Sequence, residues 1–143
     1  MARAIHPTGP LGSAQAMKAL NNLCSAAGFL IAAEALAIGA KFGLDPSVMI
    51  DVLNASTGAN NSTQNKYRPF VLSGSHAGGF LLDLMVKDLG IAASLADVMR
   101  VEAPLSSACV TAWRSAAASL GRGADHTEIA RLVAGRAGVS FAN

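Results

Sequence analysis

The chain has 143 residues and a formal net charge of +2, with 52% hydrophobic, 14% charged and 5% aromatic residues. Its 29 alanines make the apolar surplus one of small side chains, which favours closely packed helices over a β-sandwich rich in valine and aromatics. The composition excludes a solvated, disordered chain, and the 11 basic residues form no clustered stripe of the kind a nucleic-acid binder presents.

The longest uncharged apolar stretch, between Lys18 and Glu34, is 15 residues, short of the roughly 20 that span a bilayer. Its helical pattern runs on through Glu34, Ala35, Leu36 and Lys41, which a signal peptide would not do. A transit peptide is the lesser alternative, resting on Arg3 and Lys18 with no acid before Glu34. Cys24 and Cys109 are too few for a disulfide framework or a zinc site, and read as small buried residues in a reducing compartment. The expectation is a soluble, cytoplasmic protein without nucleic-acid or membrane partners.

A first long helix is predicted from Ser13 to Phe42, with Ser13 as N-cap and Gly43 at its C-terminus. Leu20, Leu23, Ala27, Leu30, Ile31, Glu34 and Ile38 keep the three-and-four spacing of a buried stripe. A rod of about 45 Å is too long for one small domain to cover, so it should pack on a second domain or subunit. Asp45-Pro46 caps a short second helix to about Ala55, and the polar stretch 56–64 reads as a loop. A third helix is predicted over Asn65 to Leu72, a fourth over Leu81 to Val101, and a fifth from Pro104 to near Gly121. Asp125 and Glu128 have capping-box spacing and open a last helix to about Ala137. Nothing alternates with period two, so the fold class is all-α: a helical bundle with one long N-terminal helix.

The segment Gly9-Pro10-Leu11-Gly12-Ser13-Ala14-Gln15-Ala16-Met17-Lys18 carries the chemistry. Glycines before a helix let backbone approach a ligand, and a helix N-terminus favours an anion such as a carboxylate. Lys18 and Asn22 are four apart and share a face, and no acid lies within fifteen residues of Lys18 on either side. Partial burial would make such a lysine a proton donor and acceptor near neutral pH; otherwise it snorkels to solvent. Elsewhere the signals are weak. His6, His76 and His126 are scattered and unpaired with cysteines, so no metal site is expected. Ser106 and Ser107 lack a nucleophile elbow, and the amide-rich stretch Asn54 to Asn65 reads as a solvated loop.

Gly9-Pro10-Leu11-Gly12-Ser13 followed by Lys18, Asn21 and Asn22 resembles the opening of the C-terminal domain of β-hydroxyacid dehydrogenases. That family includes 3-hydroxyisobutyrate dehydrogenase, tartronate semialdehyde reductase and the related 6-phosphogluconate dehydrogenases. The similarity runs through Glu34-Ala35-Leu36-Ala37 and Gly43-Leu44-Asp45, returns at Phe80 and Val86-Lys87-Asp88-Leu89, and closes with Gly121 to Asp125. Two departures stand out. Alanine occupies position 14 where the family often has glycine, and residues 74–79 lack the aromatic-acidic pattern expected before the phenylalanine.

The resemblance implies that Lys18 is the catalytic lysine and that Asn22 holds a small hydroxy-acid substrate, with Gly12 and Ser13 beside it. It implies that Phe80, Lys87 and Asp88 lie towards an NAD or NADP cofactor, and that the protein is a homodimer. It further implies that residues 1–12 are the remnant of a linker from a Rossmann domain and that 13–143 form a helical substrate-binding and dimerisation domain. No G-x-G-x-x-G turn follows a strand in these residues, so the isolated chain is expected to be nearly inactive. The competing reading is a non-catalytic helical dimerisation module. On residue types alone, Asp83 and Lys87 could be a surface ion pair, and Phe80 could be core.

Overall fold

The computed structural model describes residues 5–142. Residues 1–4 of the predicted linker and Asn143 lie outside the described residues. The order is α1 (Ser13–Phe42), α2 (Pro46–Asn54), α3 (Asn61–Asn65), a π-helical turn (Tyr67–Leu72), α4 (Leu82–Met99), α5 (Pro104–Leu120) and α6 (Glu128–Ala137). Among the described residues there is no strand, only an isolated antiparallel bridge between Leu81 and Asp125. The all-α class is therefore found, with α1 as the central rod against which every other α-helix packs.

α1 begins one residue differently from expectation. Gly12 is the N-cap, with φ 93°, while Ser13 is the first helical residue and pairs its hydroxyl with Thr8 at 2.9 Å. Gly43, at φ 102°, ends the helix by donating its N–H to Ala40 and Gly39 carbonyls, a left-handed turn that glycine makes without a Cβ penalty. Asp45 caps α2 through the Ser47 N–H at 2.7 Å, with Pro46 in the first turn.

The expected loop at 56–64 is partly helical. Asn60 accepts the N–H groups of Ser62 and Thr63, and the Thr63 hydroxyl takes the Asn60 N–H in return, a capping box that nucleates α3. The third predicted helix starts later and is a π-turn, Tyr67–Leu72. At α6 the residue before the helix is Thr127, with Asp125 two places upstream accepting the Thr127 N–H and hydroxyl. Glu128 returns a bond to the Asp125 N–H at 3.4 Å, so the reciprocity that the spacing implied is present but the helix opens after it.

The buried stripe of α1 is only partly the expected one: Leu30 is buried and Leu23 and Ala27 pack partly buried against the core. Ala19, Ala26, Phe29, Leu30, Ala33, Leu36 and Ala37 face inward, while Leu20, Ile31 and Ile38 are 40%, 60% and 72% exposed. Alanines separate Phe29, Leu30 and Leu36 on this face and let the neighbouring helices approach closely between them. Cys109 is buried but Cys24 is exposed, against expectation. By length and composition alone α1 could cross a membrane; its alanine face is covered by the other helices.

The core centres on Phe29, stacked on Tyr67 at 5.0 Å and tilted against Trp113 at 6.2 Å. Both partners are amphipathic and bury their polar atoms against α1. The Tyr67 hydroxyl donates to the Phe29 carbonyl at 2.7 Å, and Trp113 Nε1 to the Ala26 carbonyl at 3.3 Å. Burial pushes the Tyr67 phenol well above its usual value, so it remains a donor. Tyr67→Phe should lower unfolding stability by about 1 kcal/mol, the usual net worth of one such bond, in urea denaturation followed by circular dichroism. An unchanged midpoint would show that the bond carries no net stability.

Candidate active site

The start of α1 and the second turn of α4 bring three of the expected residues together. Asp88 lies on the buried face of α4 beside Leu89 and Met85 and is 4% exposed. Its Oδ2 accepts the Asn22 amide at 2.6 Å and faces Lys18 Nζ at 3.2 Å. A buried carboxylate is stable only when paired and hydrogen bonded; Lys18 and Asn22, one helical turn apart, supply both from a single face of α1.

The acid that Lys18 lacks in sequence therefore arrives from another helix. Of the two readings left open for Lys18, the exposed one is found: its side chain is 60% exposed. The arrangement leaves the ammonium open to an incoming molecule while Asp88 fixes its position.

Gly12 and Ser13 sit at the N-terminus of the same helix, exposed and half-buried respectively, and make no hydrogen bond to the Lys18 cluster. Lys87 points to solvent and forms no ion pair with Asp83 among the described residues. Phe80 is half-buried just before α4.

A clamp that the sequence did not reveal holds Phe80. Asp125 Oδ2 accepts the N–H groups of Gly79 at 2.8 Å and Phe80 at 3.2 Å, while Oδ1 takes the Thr127 hydroxyl and N–H. Desolvation pushes the Asp125 carboxyl up, but these bonds and the nearby His126 together hold it below its usual value. The Phe80 carbonyl accepts both the His126 N–H at 2.9 Å and His126 Nδ1 at 3.2 Å. A carbonyl can only accept, so Nδ1 carries the hydrogen. The two rings meet edge-on at 5.8 Å, and Nε2 is buried without a partner. Desolvation and then the Lys66 charge depress the His126 imidazole, against the opposing pull of Asp125.

The comparisons with known proteins agree with this architecture. Residues 12–133 match the family described as NAD-binding of NADP-dependent 3-hydroxyisobutyrate dehydrogenase. The chain belongs to that family. It is 40% identical over 116 residues to 3-hydroxyisobutyrate dehydrogenase of Pseudomonas aeruginosa, an alignment covering 75% of this chain and 38% of that protein. It is 36% identical over 103 residues to 2-(hydroxymethyl)glutarate dehydrogenase of Eubacterium barkeri, covering 72% and 34%. The fold superposes on 3-hydroxyisobutyrate dehydrogenase of Mycobacterium tuberculosis, solved with L-serine, at a TM-score of 0.82 and 28% identity. That match covers 93% of this chain and 47% of the other. The chain thus spans about a third to two fifths of the length of these two curated relatives.

Within this family member, His126 links the Phe80 segment to pH. Burial holds its folded pKa below the ordinary imidazole value, so the unfolded chain binds the proton first. Stability is full above the unfolded value and falls as pH drops through it towards the folded one. Thermal unfolding should show Tm declining from pH 7.5 to pH 5, and His126→Gln should flatten that decline. An equally steep decline in the variant would remove His126 as its source.

Proposed function

We propose that the chain is the helical, substrate-binding and dimerisation domain of an NAD(P)-dependent β-hydroxyacid dehydrogenase, with Lys18 as general acid/base. The observation that carries this reading is the Lys18–Asp88–Asn22 cluster: an exposed amine held at a fixed point by a buried carboxylate. Relatives named for 3-hydroxyisobutyrate and 2-(hydroxymethyl)glutarate support a small β-hydroxy acid as substrate and its semialdehyde as product.

In this reading Lys18 accepts the substrate hydroxyl proton as the carbon–hydrogen bond breaks and the carbonyl forms, and it returns the proton in the reverse direction. A bound nicotinamide supplies the hydride acceptor. Asn22 orients the substrate, and Asp88 keeps the amine in place. Phe80 offers a half-buried ring and Lys87 an exposed cation, which suit the edge of a dinucleotide. No strand–turn–helix phosphate cradle lies among the described residues, so most of the cofactor binding falls to a Rossmann domain, with residues 5–12 as its linker.

The dimer reading rests on apolar surface. Ile31 and Leu105, 60% and 86% exposed, edge a hollow of about 390 Å³ between α1 and α5, and Ile38 continues the face at 72% exposure. Apolar surface of this kind marks an interface. The exposed Cys24 and unpaired Cys109 suit a reducing, cytoplasmic setting.

In the chain joined to its Rossmann domain, Lys18→Arg should lower kcat by roughly 10²–10⁴-fold, because the guanidinium keeps the charge beside Asp88 but cannot act as a base. Unchanged turnover would defeat the assignment. The 143-residue chain alone should show no turnover with NAD+ or NADP+ and 3-hydroxyisobutyrate. Light scattering should give a dimer that Leu105→Lys converts to monomer; a wild-type monomer at micromolar concentration would refute the dimer.

A further inference from the structure

Beyond Asn22 the polar face of α1 continues. Lys18, Asn21, Asn22 and Ser25 follow the i, i+3, i+4, i+7 spacing of one helix face. Asn21, Cys24 and Ser25 form one wall of an open hollow of about 380 Å³, and Asn60, Asn61 and Ser62 from the start of α3 form the other. Lys66, at the C-terminal end of α3, donates to Ser25 Oγ at 3.3 Å.

Two groups at this hollow are unsatisfied: Ser62 in its wall, and Lys66, which stands behind the wall and reaches it through Ser25. Lys66 is half-buried, and among the described residues it forms no ion pair; the bond to Ser25 uses one of its three donor hydrogens. Burial pulls the ammonium below its usual value, with the more distant Asp125 opposing. The Ser62 hydroxyl, in a residue 1% exposed, has no hydrogen-bond partner. A desolvated cation and an orphan hydroxyl both cost free energy that an anionic acceptor would offset. Asn22 and Ser25 are about 4.5 Å apart along the helix axis, a separation on the scale of a four- or five-carbon acid.

We propose that this hollow is a distal subsite for a second carboxylate on the substrate, with Lys66 as its cation and Ser25, Asn61 and Ser62 as hydrogen-bonding partners. The proposal rests on the reading of Lys18 and Asn22 given above and narrows the substrate class to β-hydroxy acids that carry a second acidic group. A substrate ending in a methyl group leaves the Lys66 and Ser62 donors unanswered.

The test is an NMR titration of the ¹⁵N-labelled chain with two acids: 2-(hydroxymethyl)succinate, and 3-hydroxyisobutyrate, which has a methyl in place of the carboxymethyl group that bears the second carboxylate. Both should shift the Asn22 amide, and only the diacid the Ser25 and Asn61 amides. The diacid should bind about tenfold tighter, a ratio suited to one added charge-assisted hydrogen bond. Lys66→Gln should erase that ratio and Lys66→Arg should retain it. Should Lys66→Gln fail to fold, Asn61→Asp, at an exposed position, should reverse the preference by repelling the second carboxylate. Equal affinities in the wild type, or a preference that survives Lys66→Gln or Asn61→Asp, would overturn the subsite alone, provided both acids still shift Asn22. If neither acid moves Asn22 at tens of millimolar, the Lys18–Asn22 substrate site fails and the subsite fails with it.

Discussion

The middle of α1 is the point on which the rest of the bundle depends. Within four residues its carbonyls receive three side chains from three other elements: Trp113 of α5 at Ala26, Asn60 before α3 at Gly28, and Tyr67 of the π-turn at Phe29. A helix carbonyl already bonded along its own ladder has a second lone pair to offer, so these bonds add cross-links without breaking the helix. Gly28 makes the central one possible. A Cβ there would stand 3.3 Å from Asn60 Cγ, tighter than an ordinary van der Waals contact, so Asn60 could not keep both its bond to α1 and its cap on α3 undisturbed.

That node positions the candidate chemistry on either side of it. Because Asn60 is tied to α1 and also nucleates α3, Asn61, Ser62 and Lys66 are carried against Ser25. Because Trp113 and Tyr67 pack on Phe29, His126 is fixed at 5.8 Å from the same ring, and through it the Phe80 carbonyl. The Lys18–Asp88 pair lies outside this aromatic node and rests on the α1–α4 packing of Leu82, Met85 and Leu89. The fold's stability and the site's chemistry are thus drawn from adjacent but separate groups.

How much of this was legible in the sequence follows from the range of each interaction. The ends of α1, α2, α4, α5 and α6 are set by glycines, prolines and local caps, and these were readable to within a few residues. The inward face of α1 was only partly so, because beyond Ser25 this helix is apolar nearly all round: alanines join Phe29, Leu30 and Leu36 on the buried face, while Leu20, Ile31 and Ile38 are exposed. Burial arithmetic weights a leucine above an alanine, whereas close helix packing selects the reverse. Asp88 answers Lys18 across seventy positions, and Asp125 holds Gly79 and Phe80 across about forty-five; no local window contains such pairs. The stretch Asn54 to Asn65 reads as loop because its amides and hydroxyls show no apolar period. Its capping box was present in the letters Asn60 and Thr63, but threonine stands where that motif usually has glutamate or glutamine.

The distribution of unsatisfied groups along α1 gives the helix a direction. Its first turns carry an exposed ammonium whose carboxylate partner is buried, an arrangement that costs desolvation on one side only and leaves the other side available to a ligand. Its middle turns are fully answered by Trp113, Asn60 and Tyr67. Beyond them the polar face gives way to Ile31 and Ile38, whose exposure can be relieved only by apolar cover. A helix of about 45 Å thereby carries a charged, polar end and an apolar flank. The two demands do not compete, because a satisfied core lies between them. The same separation explains part of the composition: alanines between Phe29, Leu30 and Leu36 in the shared interior keep the neighbouring helices close enough for Asn60, Tyr67 and Trp113 to reach the α1 backbone.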